Sequence, residues 1–355
     1  MKYHIIGLMS GTSADGLDLA FCSFEKTYAG HWDYRICSAI TMAYDQRLRT
    51  ELRQAVKMNK KQLKDLDDYF GTWSGRAVKI FMEQEGISAD LPDFVASHGH
   101  TIFHQPEKKR TLQIGKGQKI ADACAIPVIF DFRSPDVKLG GQGAPLVPIG
   151  DKYLFSRYDQ CLNIGGFSNI SMDLDGRRIA WDICPVNTVG NDLANRINLD
   201  FDKDGMIAAK GKLIPDLLQK LNALDFYQQK PPKSLGREWV ADNVDVLLRP
   251  LFSEYSLEDL MRTWYEHAAM QIARHLKGNV LVTGGGAKNS FLIDRIRSLS
   301  AADIHIPDEM LVDFKEALIF AFMAVLRYRE EVNVLASVTG AGNNHSSGQI
   351  VFPGL

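Results

Sequence analysis

The chain has 355 residues and a formal net charge of -2, with 45% hydrophobic and 24% charged residues, the balance of a globular protein long enough for two cores. It carries no basic block to track a nucleic-acid backbone, since Lys57 to Lys64 is interrupted and then followed by acids, as on a solvated helix face. No apolar run approaches the roughly 18 residues of a membrane span, the run after Met1 is too short for a signal-peptide core, and five cysteines without a Cys-x-x-Cys pair argue for a reducing, cytoplasmic setting.

Ile5 to Met9 is an apolar run ending in Ser10-Gly11-Thr12-Ser13, and the alternation Leu17, Leu19, Phe21 follows. This predicts strand, Gly-rich turn, strand. A third strand is predicted over Trp32 to Ala39. Residues 45–86 read as helical, with Leu48, Leu52 and Val56 on one face and Val78, Phe81 and Met82 likewise. Phe94 to Ser97 is a strand running into His98-Gly99-His100-Thr101, and Ile126 to Phe130 is another, ending at Asp131. Ser134 to Pro148, dense in glycine and proline, reads as a linker.

The pattern then restarts. Gln160 to Ile164 is a strand, Gly165-Gly166 a turn, and Phe167 to Met172 and Ile179 to Ile183 are further strands. Gln228 to Glu238, with Pro231-Pro232, reads as a surface loop. Asn279 to Thr283 is a late strand ending in Gly284-Gly285-Gly286-Ala287. Ile304 to Ile306 is one more, and Ala317 to Tyr328 is an apolar helix. The duplicated order predicts an α/β protein of two domains with mixed sheets flanked by helices. The expected bounds are 1–133 and 134–355, with the last residues able to return to the first domain and a ligand in the crevice between the halves.

Three Gly-rich turns follow strands: Gly11 to Gly16, Gly165 to Asn169, and Gly284 to Asn289. Glycine lets a backbone approach a phosphate so that its N–H groups cradle it. Gly11 to Gly16 lacks the Lys-Ser/Thr of a P-loop, and Gly284-x-Gly286 lacks the third glycine of the dinucleotide fingerprint. Asp15 and Asp18 are open to two readings, Mg²⁺ held through water or a fixed hairpin. Asp182 is either a capping carboxylate or a functional one. His98, His100 and His104 share strand spacing, compatible with a metal, a sugar or a structural role. Glu316, an acid entering an apolar helix, needs a reason to be there.

Gly7-Leu8-Met9-Ser10-Gly11-Thr12-Ser13-Ala14-Asp15-Gly16-Leu17-Asp18 resembles the N-terminal signature of the anhydro-N-acetylmuramic acid kinases. Ser97 to His104, Asp131-Phe132-Arg133, Gly140 to Pro148, Asn163 to Gly166, Phe201 to Gly205, Gly284 to Asn289 and Lys315 to Leu318 resemble further motifs of that family, in family order. The resemblance implies an actin/Hsp70/hexokinase ATPase superfold of two actin-like (ribonuclease H-like) domains with an interdomain active-site cleft. It implies a homodimeric enzyme that uses Mg-ATP and water to open the 1,6-anhydro ring and phosphorylate O6, giving N-acetylmuramic acid 6-phosphate and ADP in peptidoglycan recycling. Carried over by position, Gly11, Thr12, Ser13, Ala14, Asp15, Gly16, Leu17 and Asp18 form the ATP phosphate loop. Gly165, Gly166, Gly284, Gly285 and Gly286 complete the nucleotide site, Asp182 is the catalytic base, and Thr101, Arg133 and Glu316 line the sugar side. The chain departs from the family's Asp-Thr-Gly-Pro-Gly-Asn at Asp182-Ile183-Cys184-Pro185-Val186-Asn187, which is expected to restrict the turn. His100 stands where the family more often has Gln. Another sugar phosphotransferase on this fold, or a catalytically drifted ATP-binding sensor, are the alternatives the altered turn keeps in view.

Overall fold

The computed structural model describes residues 1–11, 14–105 and 110–354. Their strands are β1 (Lys2–Ser10), β2 (Gly16–Lys26), β3 (Trp32–Ala43), β4 (Phe94–Gln105), β5 (Arg110–Ile114), β6 (Val128–Phe130), β7 (Gln160–Ile164), β8 (Phe167–Leu174), β9 (Arg177–Pro185), β10 (Asn279–Thr283), β11 (Asp303–His305) and β12 (Gln349–Val351). They fall into two compact units, residues 1–154 with 314–355, and residues 155–313.

In the first unit the sheet order is β12-β6-β4-β1-β2-β3, with β5 pairing β4. β2 is antiparallel to β1 and β3, whereas β4 is parallel to β1 and β6. In the second the order is β11-β10-β7-β8-β9. β8 is antiparallel to β7 and β9, and β10 is parallel to β7 and β11. Both units therefore repeat one plan: a three-strand meander, then two strands laid parallel on the free side of the first. This is the expected actin-like pair of mixed sheets. Central β1 buries Ile5, Ile6 and Leu8 almost completely, as a strand covered on both faces does.

The helices cover these sheets through small residues. Gly7 of β1 faces the Ala317 carbonyl of the Glu309–Tyr328 helix so closely that a Cβ would collide with it. Gly75 of the Lys60–Gln84 helix lets it approach Ile120 and Ala123 of the Gly117–Cys124 helix. Asn59 and Gln62 cap the longer helix reciprocally, each side chain accepting from the other's backbone N–H.

The units are drawn differently from the expected 1–133 and 134–355. The segment read as a linker holds two short helices, Ser134–Lys138 and Pro148–Leu154, and belongs to the first unit. Its Asp136 is fully buried and accepts hydrogen bonds from Gly143 N (2.7 Å) and Thr339 Oγ1 (2.7 Å). Glycine density marked a tight wrap around a buried carboxylate, which composition does not distinguish from a solvated linker. Residues 314–355 return to the first unit, where β12 pairs antiparallel with β6.

Candidate active site

In the first unit, the β1–β2 connection closes with Ala14 N donating to Gly11 O (3.1 Å). Ala14 and Leu17 are buried in the core, so only their backbone could meet a ligand. Thr12 and Ser13 lie outside the described residues. Asp18 accepts from Thr41 Oγ1 (2.6 Å), and exposed Asp15 lies 3.7 Å from Arg49 and 3.9 Å from Arg53. Both contacts fix the hairpin to its surroundings. Among the described residues no group of three or more His, Cys, Asp or Glu could hold a metal directly.

Beside the hairpin, Tyr44 O–H donates to Ser10 Oγ (2.7 Å), and Ser10 Oγ is bonded to His100 Nδ1 (2.8 Å). Burial pushes the His100 pKa down to about 4, so the ring is neutral at physiological pH. Farther back on β4, His98 meets Arg133, whose Nε donates to His98 Nε2 (2.8 Å) and whose NH1 donates to Gly143 O (2.9 Å). Nε2 accepts, so the His98 proton sits on Nδ1 and is donated to Gly99 O (2.9 Å). Burial and the Arg133 charge both hold His98 neutral. Burial lowers the Arg133 pKa to about 10, which leaves it cationic at neutral pH.

Glu316 completes this cluster from the Glu309–Tyr328 helix. Burial raises its carboxyl pKa, while the Arg133 and Lys315 charges draw it back. One turn on, Phe320 packs on the His98 ring, centroids 4.6 Å apart. Neighbouring Lys315 is tied to Asp151 at 2.7 Å in a buried ion pair. Arg133 and Glu316 are thus brought into one electrostatic cluster, bridged to β4 by His98. Thr101 lies farther along β4 and accepts from Gln113 Nε2 at 3.4 Å across the β4–β5 pair.

In the second unit, the Gly165–Gly166 turn is tied to the start of the Asn187–Asn195 helix. Asn187 N donates to Gly165 O (3.2 Å), and Val186 N and Thr188 N donate to Gly166 O (2.8 and 3.2 Å). Gly284 holds a φ of +85°, and a Cβ there would meet Asn163 Oδ1 at 2.7 Å and Ile164 O at 2.8 Å. Only glycine serves at that position. The turn after β10 therefore lies against the end of β7. At Gly165 and Gly285 an added Cβ would meet nothing nearer than 3.4 and 3.7 Å, from Asn163 Nδ2 and Asn187 Nδ2. Both positions have room for a Cβ at ordinary contact distance, and Gly285 is exposed while Gly165 is half-buried. Ser290 Oγ donates to Asp204 O (3.1 Å), placing the Phe201–Gly205 motif at the same turn.

Asp182 lies within β9, opposite Asn169 of β8, and not at a strand end. Its N–H donates to Lys233 O (3.0 Å), and its Oδ2 accepts from Leu235 N (2.8 Å). Burial lifts its pKa to about 6, opposed by that one hydrogen bond. It is ionised at neutral pH yet basic enough to take a proton.

The two positions where the family has glycine are both enclosed here. Val186 has φ -130° and ψ -85° and is completely buried. Cys184 continues β9, fully buried, bonded to Ser168, with its thiol pKa pushed up to about 12 by burial. Both side chains enter the core of this unit. Sequence reasoning missed Tyr44 beside Ser10 in the first unit, and Lys233 and Leu235 beside Asp182 in the second. His98 was weighed only as one of three spaced histidines.

The family model for "Anhydro-N-acetylmuramic acid kinase" matches residues 3–353. Relatives of that name are 32% identical in Francisella tularensis subsp. novicida, over 98% of each chain, and 33% identical in Mannheimia succiniciproducens, over 99% of this chain and 100% of that one. Another, from Bacillus cereus, is 30% identical over 99% of this chain and its whole length. Among solved structures, component A of the (R)-2-hydroxyglutaryl-CoA dehydratase of Acidaminococcus fermentans aligns with a TM-score of 0.48 and 12% identity, over 90% of this chain and 96% of that one.

Proposed function

The chain belongs to the anhydro-N-acetylmuramic acid kinase family, and on that premise we propose that it opens the 1,6-anhydro ring of anhydro-N-acetylmuramic acid with water and phosphorylates O6. The products are N-acetylmuramic acid 6-phosphate and ADP, and the role is peptidoglycan recycling. The match from residue 3 to residue 353 favours neither another sugar specificity nor a silent sensor.

The observation that carries the reading at residue level is the Asp182 carboxylate. Water is a poor nucleophile at neutral pH, and a positioned base that accepts its proton during attack on C1 contributes roughly 10²–10⁴-fold. A pKa near 6 suits that task. Arg133, Glu316 and Thr101 would hold the sugar. With Nε and NH1 committed to His98 and Gly143, Arg133 keeps NH2 for a ligand oxygen. When bound, Mg-ATP supplies the phosphoryl group. The residues that would hold it are Gly11 to Asp18, Gly165, Gly166 and Gly284 to Gly286, with Asp15 and Asp18 reaching Mg²⁺ through water. Five cysteines without a Cys-x-x-Cys pair support a cytoplasmic enzyme, and the family resemblance supports a homodimer.

The test is ADP release by the purified protein, which is expected to require both Mg²⁺ and the anhydro sugar. In ¹⁸O-water the label is expected at C1 of the sugar. Label in phosphate would mean plain ATP hydrolysis and overturn the reading.

A further inference from the structure

Asp182 has both its backbone and its side chain hydrogen-bonded by one distant segment. Its N–H donates to Lys233 O and its Oδ2 accepts from Leu235 N, so residues 233–235 lie along the outer edge of β9, the last strand of its sheet. Among the described residues, Leu235 N is the hydrogen-bond donor on this carboxylate, and no hydrogen bond to Oδ1 is made. The segment is tied at both ends. Lys233 Nζ donates to Phe226 O (3.0 Å) and lies 4.4 Å from the Phe226 ring centroid. Two residues past Leu235, Arg237 forks onto Asp192 (2.9 and 3.1 Å) and reaches Thr188 O (3.3 Å). Thr188 is the residue whose N–H donates to Gly166 O. Pro231-Pro232 stiffen the approach.

We propose that the Lys233–Leu235 segment is a positioning strap for Asp182, fixing the carboxylate through Oδ2 so that Oδ1 is the oxygen that takes the proton of the attacking water. The proposal rests on the reading of Asp182 as the general base. Its physical content is that a carboxylate on a single-bonded stem rotates freely unless one oxygen is held, and a rotated base loses the alignment that proton transfer requires. The strap is a backbone device, so Leu235 acts through its N–H and its side chain can change with little effect. Lys233 and Leu235 are positioning residues and touch no reacting atom.

Leu235→Pro removes the N–H, and Leu235→Ala keeps it while trimming the side chain. A hydrogen bond to a charged oxygen depresses its pKa, so losing it moves the acid limb of kcat/KM upward by about one pH unit. That is about fivefold lower activity near pH 6, with kcat falling more than KM rises. Leu235→Ala is expected to keep the original limb. Since proline can disturb folding, Pro231→Gly with Pro232→Gly provides the second arm: the donor stays, the strap loosens, and kcat is expected to fall with little change in KM. In an Asp182→Asn background, Leu235→Pro should cost nothing further in single-turnover rate. An unmoved limb in a folded Leu235→Pro protein, an equal loss in the Asn background, or an unchanged kcat in the double-glycine variant would overturn the strap. Full activity of Asp182→Asn alone would instead remove Asp182 from the mechanism, so the two failures are distinguishable.

Discussion

Asp182 is ionised at neutral pH at a cost to the fold. Its carboxyl leaves the unfolded chain near 3.8 and the folded chain at about 6. Between those values the folded state binds the extra proton, so stability falls as pH rises from about 4 to 6, by about 2–3 kcal/mol in all. Asp182→Asn removes the charge and is expected to melt higher than the parent at pH 8, with the gap closing near pH 4. Turnover should drop by roughly 10²–10⁴-fold. A variant that loses activity but gains no thermal stability at pH 8 would show that the folded carboxyl is not held high. The motif match pointed to Asp182, but Leu235 is 53 residues away in sequence and acts through its amide, which no side-chain pattern records.

At the scale of elements, β1 and the Glu309–Tyr328 helix meet through Gly7 against the Ala317 carbonyl, one residue past Glu316. A backbone carbonyl inside a helix cannot step aside as a side-chain tip can. Gly7→Ala is therefore expected to destabilise by about 1–3 kcal/mol or more through overpacking, and to impair sugar binding by shifting Glu316. Gly342→Ala, whose new Cβ would find Leu139 O at an ordinary 3.6 Å, should stay within about 0.5 kcal/mol. Thermal denaturation of the pair checks this, and equal melting of both would refute the close-contact argument. Most strands were legible because their apolar runs are buried whatever the partner, as with Ile5 to Met9 and Asn279 to Thr283. β5 was missed, since Arg110 to Ile114 alternates weakly and is strand by virtue of pairing with β4. Asp136 shows the same limit, because its burial depends on Thr339, 203 residues on.

At the scale of the whole molecule, the duplication of strand order was readable from the spacing of the Gly turns, and the bounds were not. The second unit is one uninterrupted stretch, residues 155–313, whereas the first needs residues 1–154 and 314–355 together. A ribosome delivers the chain from one end. At roughly 5–20 residues per second, the first 154 residues wait on the order of ten seconds or more for their missing helix and strand. Until then Gly7 has no Ala317 to pack on, and Phe24 and Phe132 lack Phe322 and Phe320. The segment synthesised first is therefore the one completed last, and it passes through a nascent state with apolar surface uncovered. Expressed alone, residues 155–313 should give a cooperative melt and residues 1–154 should aggregate unless 314–355 is supplied in trans. Soluble, cooperatively folded 1–154 would contradict this. In the cell, the hazard is one of timing: a stall anywhere between codons 155 and 313 leaves the unfinished half exposed to chaperones and proteases for the length of the pause.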